Sequence, residues 1–178
     1  MDTLLDLLPE IERLGSREAV RWSNGLRTWI WTYADLYARI GSFAQWLDHR
    51  GIVKGDRIMI WGENRAEWLT AYWAAIARGI EVVPVDFRFS LDLVQRIQGE
   101  CRAKLIVHGY SVDATAIRLD RVSYDDIAAL PPAARLSTAK LVPNDVVEIV
   151  NTSGTTGDPK GVVHRHRNIC ANLNPFQK

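Results

Sequence analysis

The 178-residue sequence predicts an α/β fold: a parallel sheet covered by helices on both faces and preceded by a β-hairpin. Two observations carry this. Short, near-continuous apolar runs (DRIMIW, IEVVPV, AKLIVHG and DVVEIV) have the character of strands buried on both sides. Helix-period stretches with capping residues at their starts separate most of these runs, so strand and helix alternate and right-handed crossovers are expected.

The hairpin comes first, over residues 18–32. Asn24-Gly25 suits the positive φ angles of a tight two-residue turn, and β-formers flank it. Thr32 and Asp35 then form a capping box. Leu36, Ile40, Phe43, Ala44 and Leu47 follow at helical spacing until Gly51 ends the run. After DRIMIW, Asn64 and Glu67 read as a second capping box, with Trp68, Tyr72, Ala75 and Ile76 on one helix face and Gly79 at its close. IEVVPV follows. Ser90 caps a third helix carrying Leu91, Val94 and Ile97, and AKLIVHG is the next strand. Between Gly109 and Pro143 the pattern weakens. There Ser123 and Asp126 cap a short helix through Leu130, and PPAARLSTAK reads as a loop. DVVEIV runs straight into NTSGTTGDPKG, after which GVVHRH reads as a strand and RNICANL as the start of a helix.

Composition narrows the function classes. The 22 basic and 21 acidic side chains leave a net charge of +1, so no global basic field points to nucleic acid or an anionic membrane. Cys101 and Cys170 stand far apart and form neither a disulfide framework nor a zinc motif. They read as small buried hydrophobes, and the tryptophans as core packing. The acidic start lacks the basic flank of a signal peptide, and the apolar runs fall short of the roughly 20 residues that span a bilayer. A cytoplasmic protein is the expectation.

The segment NTSGTTGDPKG, residues 151–161, holds four hydroxyls, three glycines and one lysine. Glycines let backbone N–H groups turn inward around a phosphate, and hydroxyls donate without adding charge. Lys160 supplies a mobile cation, and Pro159 stiffens the exit. A plain Gly/Thr surface turn would share this composition. The order excludes two other phosphate loops: Lys160 follows a proline where a Walker loop needs GK[ST], and no GxGxxG is present.

As an ordered string the segment says more. Residues 152–161 match Thr-Ser-Gly-[Ser/Thr]-Thr-Gly-x-Pro-Lys-Gly at every fixed position. A chance match is on the order of 10⁻¹⁰ per starting point at background residue frequencies. The string resembles the signature of the adenylate-forming enzymes: acyl- and aryl-CoA synthetases, peptide-synthetase adenylation domains and beetle luciferases. Residues 18–174 agree in order and spacing with the amino-terminal half of the large domain in that family. Landmarks are the helix after Thr32-Tyr33, the turn Lys54-Gly55-Asp56-Arg57, Val83-Pro84-Val85, and GVVHRHRN after the loop. WGENRAEW leans toward bacterial fatty acyl-CoA synthetases. Asn151 departs from the family, which more often has an aromatic residue there.

The resemblance implies the fold of that large N-terminal domain, with the whole chain, 1–178, as its amino-terminal part. Within it lie the hairpin 18–32, an alternating core 33–108, a connecting loop 131–143 and a strand–loop–strand unit 146–164. It also implies activation of a carboxylic acid, a fatty acid being favoured, by ATP to an acyl-adenylate, then transfer to coenzyme A. Thr152, Ser153, Thr155, Thr156 and Lys160 would grip the phosphates, while Gly154, Gly157 and Gly161 permit the loop's shape. No catalytic set is complete and no metal ligand is assigned. The Mg2+ ligand, the adenine site, most of the acyl pocket and the C-terminal domain are expected outside these residues, which alone are expected to be inactive. Another adenylate-forming activity (aryl-CoA ligase or peptide-synthetase adenylation domain) and a non-enzymatic phosphate-binding module are the alternatives. His164 and His166 read as structural.

Overall fold

A computed structural model describes residues 1–23, 25–133, 135–153 and 159–173. A six-stranded sheet dominates, in the order β6-β5-β3-β4-β7-β8. Its central strands are β3 (Arg57–Trp61), β4 (Glu81–Val85) and β5 (Leu105–His108), each reached from the one before by a helical crossover. These strands pair in parallel, as do β4 with β7 (Val146–Ser153) and β5 with β6 (Asp120–Ser123). Only β8 (Pro159–Arg165) runs antiparallel, against β7.

Strand periodicity divides the core in two. On one face Ile58, Ile60, Val82, Leu105 and Val107 pack against α2 (Tyr33–His49), α3 (Ala66–Arg78) and α5 (Tyr124–Ala129). On the other, Met59, Trp61, Val83, Val85 and Ile106 meet α4 (Leu91–Cys101). The expected coverage of both faces is therefore present. In α2, Ile40, Phe43 and Leu47 are fully buried, each contributing roughly 1.5–3 kcal/mol of transfer free energy.

The helix starts at Thr32 and Ser123 carry complete capping boxes with Asp35 and Asp126, and the Ser90 hydroxyl accepts from Leu93 N–H. Thr32→Ala is expected to cost about 1 kcal/mol of stability, measured as a shift in the urea midpoint at unchanged slope. Gly79 ends α3 in the left-handed conformation, at φ 69°.

Three expectations need correction. The start of α3 is capped by the extended backbone of Arg65, not by Asn64. Glu67 is only 3% exposed and lies 3.4 Å from Arg65 Nε. It faces inward and does not reach back to Asn64. On the same helix Trp68 and Tyr72 are half-buried and stack at 5.1 Å, while the innermost face is made of small residues, Ala71, Ala74 and Ala75.

The hairpin of β1 (Glu18–Ser23) and β2 (Thr28–Thr32) also differs, because its last pair, Ser23 with Thr28, encloses four residues and not two. The Ser23 hydroxyl holds this wider turn, accepting from Gly25 N–H at 3.1 Å and donating to Arg27 O at 3.0 Å. Asn24 itself lies outside the described residues. Finally, the weakly patterned stretch after Gly109 contains β6, and a 3₁₀ turn (Leu4–Leu7) with α1 (Leu8–Leu14) precedes the hairpin. No helix among the described residues is long and apolar enough to cross a membrane.

Candidate phosphate-loop site

The segment 151–161 closes an antiparallel hairpin whose stem is built into the sheet. Thr152 pairs with Lys160, Ser153 with Pro159 and Asn151 with Gly161. The two ends of the motif are thus brought opposite each other at the carboxyl end of β7. Gly154, Thr155, Thr156, Gly157 and Asp158 lie outside the described residues, and of Thr152 and Ser153 only the backbone in β7 is described. Lys160 is exposed on β8. A Cβ on Gly161 would stand 2.8 Å from Ile149 Cγ2, so glycine lets β8 pass close over β7.

Beside this stem, the carboxyl ends of β3, β4 and β7 frame a crevice of about 380 Å³, lined among others by Gly62, Asn64, Trp68, Arg88, Val150 and Asn151. Open parallel sheets bind ligands at this edge, because the strand ends leave backbone groups and loops facing outward. Asp86 and Arg88 stand at its rim, 2.6 Å apart, and hydrogen bonds from Arg88 bring the Asp86 carboxyl down to about 2. The side-chain nitrogen of Asn151 is buried with no hydrogen-bond partner among the described residues.

Further down β7 lies a group that sequence patterns do not assemble. Glu148 accepts from Tyr72 OH at 3.0 Å and pairs with His164 Nδ1 at 2.9 Å. Burial, with Glu148 beside it, raises the Tyr72 phenol well above the ordinary tyrosine value. These three side chains, with Asn168 and Asn172 of α6 (His166–Leu173), border a recess of about 350 Å³. Glu148 and His164 are cross-strand partners in the β7–β8 hairpin, whereas Tyr72 reaches them from α3, 76 positions away from Glu148. His166 is fully buried, and both cysteine thiols are buried and pushed upward by that burial, as their structural reading requires. Among the described residues no three His, Cys, Asp or Glu side chains cluster to hold a metal.

The profile of the AMP-binding enzyme family matches residues 10–177. The chain belongs to that family. This AMP-binding enzyme chain is 32% identical over 151 residues to the long-chain-fatty-acid–CoA ligase FadD13 of Mycobacterium tuberculosis, covering 78% of this chain and 30% of that one. It is 28% identical over 158 residues to an L-proline–[L-prolyl-carrier protein] ligase of Pseudomonas fluorescens, covering 79% and 30% respectively. The N-terminal subdomain of Klebsiella oxytoca NpsA, solved with 3-hydroxybenzoyl-AMSN, superposes with a TM-score of 0.80. At 23% identity, over 95% of this chain and 42% of that one, it supports the fold. The chain spans about 30% of the length of the two curated relatives. Those relatives name different acids, so the family is shared and the substrate differs among its members.

Proposed function

We infer that the chain supplies the phosphate-gripping part of a ligase that activates a carboxylic acid with ATP and passes the acyl group to the thiol of coenzyme A. The observation that carries this reading is the hairpin: the signature's two ends are paired in the sheet, Thr152 opposite Lys160, at the edge where the crevice opens. In the first step a carboxylate oxygen attacks the α-phosphorus of ATP, and the bond to the bridging oxygen breaks, releasing pyrophosphate. Charge builds on that leaving group. Donors from Thr152, Ser153, Thr155, Thr156 and Lys160, held by a glycine-rich backbone, stabilise it there. In the second step the thiol sulfur attacks the acyl carbonyl and AMP departs. Mg2+ accompanying ATP would offset part of the phosphate charge. A fatty acid is the favoured substrate, from the WGENRAEW segment and the FadD13 relative.

Titrating the chain with pyrophosphate and with ATP, followed by 1H–15N NMR, tests the grip. Shifts centred on the amides of residues 152–161 are expected, and their absence at saturating ligand would remove the reading. The chain alone is expected to show no acid-dependent ATP–pyrophosphate exchange, because it spans about 30% of the length of the two curated relatives. Exchange by the pure chain would overturn that expectation.

A further inference from the structure

Leu4 and His166 stand 162 positions apart and meet through a buried hydrogen bond, Leu4 N–H donating to His166 Nδ1 at 3.1 Å. His166 is 1% exposed and Leu4 3%. The 3₁₀ turn is otherwise closed on itself, since Asp6 accepts from Asp2 N–H at 2.8 Å and from Thr3 N–H at 3.3 Å. Leu4 N–H points out of that box and finds the imidazole. Around the bond, Leu4, Ile76, Val147 and Cys170 form a small core drawn from the 3₁₀ turn, α3, β7 and α6. His166 also donates its backbone N–H to Asp145 O at 3.1 Å, just ahead of β7. One histidine therefore joins the N-terminal turn, the start of β7 and the end of β8.

A ring nitrogen that accepts a hydrogen bond carries no proton, so this contact needs a neutral imidazole protonated on Nε2. We propose that His166 is a positioning residue: its neutral ring clasps the N-terminal turn onto the foot of the β7–β8 hairpin, and protonation of the ring releases the turn. The clasp does not depend on what the hairpin loop binds.

The charged groups around the ring come from several elements. Asp145, ahead of β7, is paired at 2.6 Å with Lys54, which precedes β3, and Asp6 approaches from the 3₁₀ turn. Asp2 and the Met1 ammonium lie toward Cys170 in the same cluster, and α3 presents Ile76 with the Tyr72 phenol and Trp73. Burial is the largest influence and pushes the ring below the ordinary histidine value; Asp145 and Asp6 act against it, and Lys54 with it. A released ring titrates near the ordinary value of about 6.5. The clasp is therefore at full strength above that value and is lost as pH falls below it toward the lower, clasped value.

Long-range 1H–15N NMR of the histidine rings in the full chain tests the proposal directly. The expected result is an Nε2–H tautomer for His166 and a titration midpoint below the ordinary histidine value. Amide exchange, corrected for its intrinsic pH dependence, is expected to be at least about tenfold slowed at Leu4 near pH 7.5, with the protection vanishing as His166 titrates. His166→Phe, which fills the space without an acceptor, should lose the protection at every pH. His166→Asn, which offers an acceptor that does not titrate, should keep it and flatten the pH profile. An Nδ1–H tautomer would overturn the proposal. So would Leu4 protection that survives in His166→Phe or persists once the ring is protonated. Where the variants do not fold, the wild-type tautomer and pH profile decide.

Discussion

Thr155 and Thr156, replaced together by Ala in a ligase carrying this chain with its acid- and adenine-binding parts, are expected to slow adenylation by on the order of 10²–10³-fold. The reason lies in where charge develops. A carboxylate attacking ATP leaves the β- and γ-phosphates with more negative charge in the transition state than in the bound ground state. Hydroxyls aimed at the leaving group therefore act chiefly on the rate. The second half-reaction expels AMP, with pyrophosphate already gone, so thioester formation from a supplied acyl-adenylate should fall much less. Measuring the two half-reactions separately decides the matter. Equal losses in both would mean that the hydroxyls support the loop's shape and not the departing phosphates.

Gly62→Ala should produce the largest loss of stability away from the loop, about 3 kcal/mol. A Cβ there would stand 2.6 Å from Gly109 N, 2.7 Å from Gly109 Cα and 2.7 Å from Tyr124 OH. Two of these neighbours are backbone, held by the bond from Gly109 N–H to Trp61 O at 2.9 Å. The third is fixed as well, because Tyr124 is fully buried and its hydroxyl donates to Glu63 O at 3.0 Å. None can yield without breaking the ends of β3 and β5. Gly99 in α4 is the natural control, with nothing within 4 Å of its Cβ position. Ala there should stabilise the helix by up to about 1 kcal/mol. Chemical denaturation of both variants checks the pair, and a Gly62→Ala midpoint equal to that of the native chain would mean the strand ends separate freely.

Local rules, applied to the sequence, located the parts of the fold that are locally determined. Thr32, Ser90 and Ser123 cap helices because a hydroxyl followed by an acceptor or donor three residues on needs no distant partner. The central strands were legible because both faces are buried and the apolar run is unbroken. β6 was not, since it sits at the sheet's edge and buries only Val122 among its four residues. Asn64 misled because the pattern of a capping box was present while the buried environment of Glu67 was not visible in one dimension. Leu8-Pro9 carries a helix-start signal, proline in the first turn of α1. The motif at residues 152–161 was legible for a different reason: a string fixed at nearly every position is recognisable from its order alone. Of the Tyr72–Glu148–His164 group, Glu148 and His164 are cross-strand partners whose register the sequence leaves open, and Tyr72 joins them from α3 through space alone.

The outermost position of β8 has a mechanical consequence. This strand leads directly out of the loop, and Val162 and Val163 on it are 45% and 46% exposed. Whatever lays a further strand along that open boundary also braces one leg of the loop. Widening the sheet and bracing the strand that leads away from residues 154–158 are then one event.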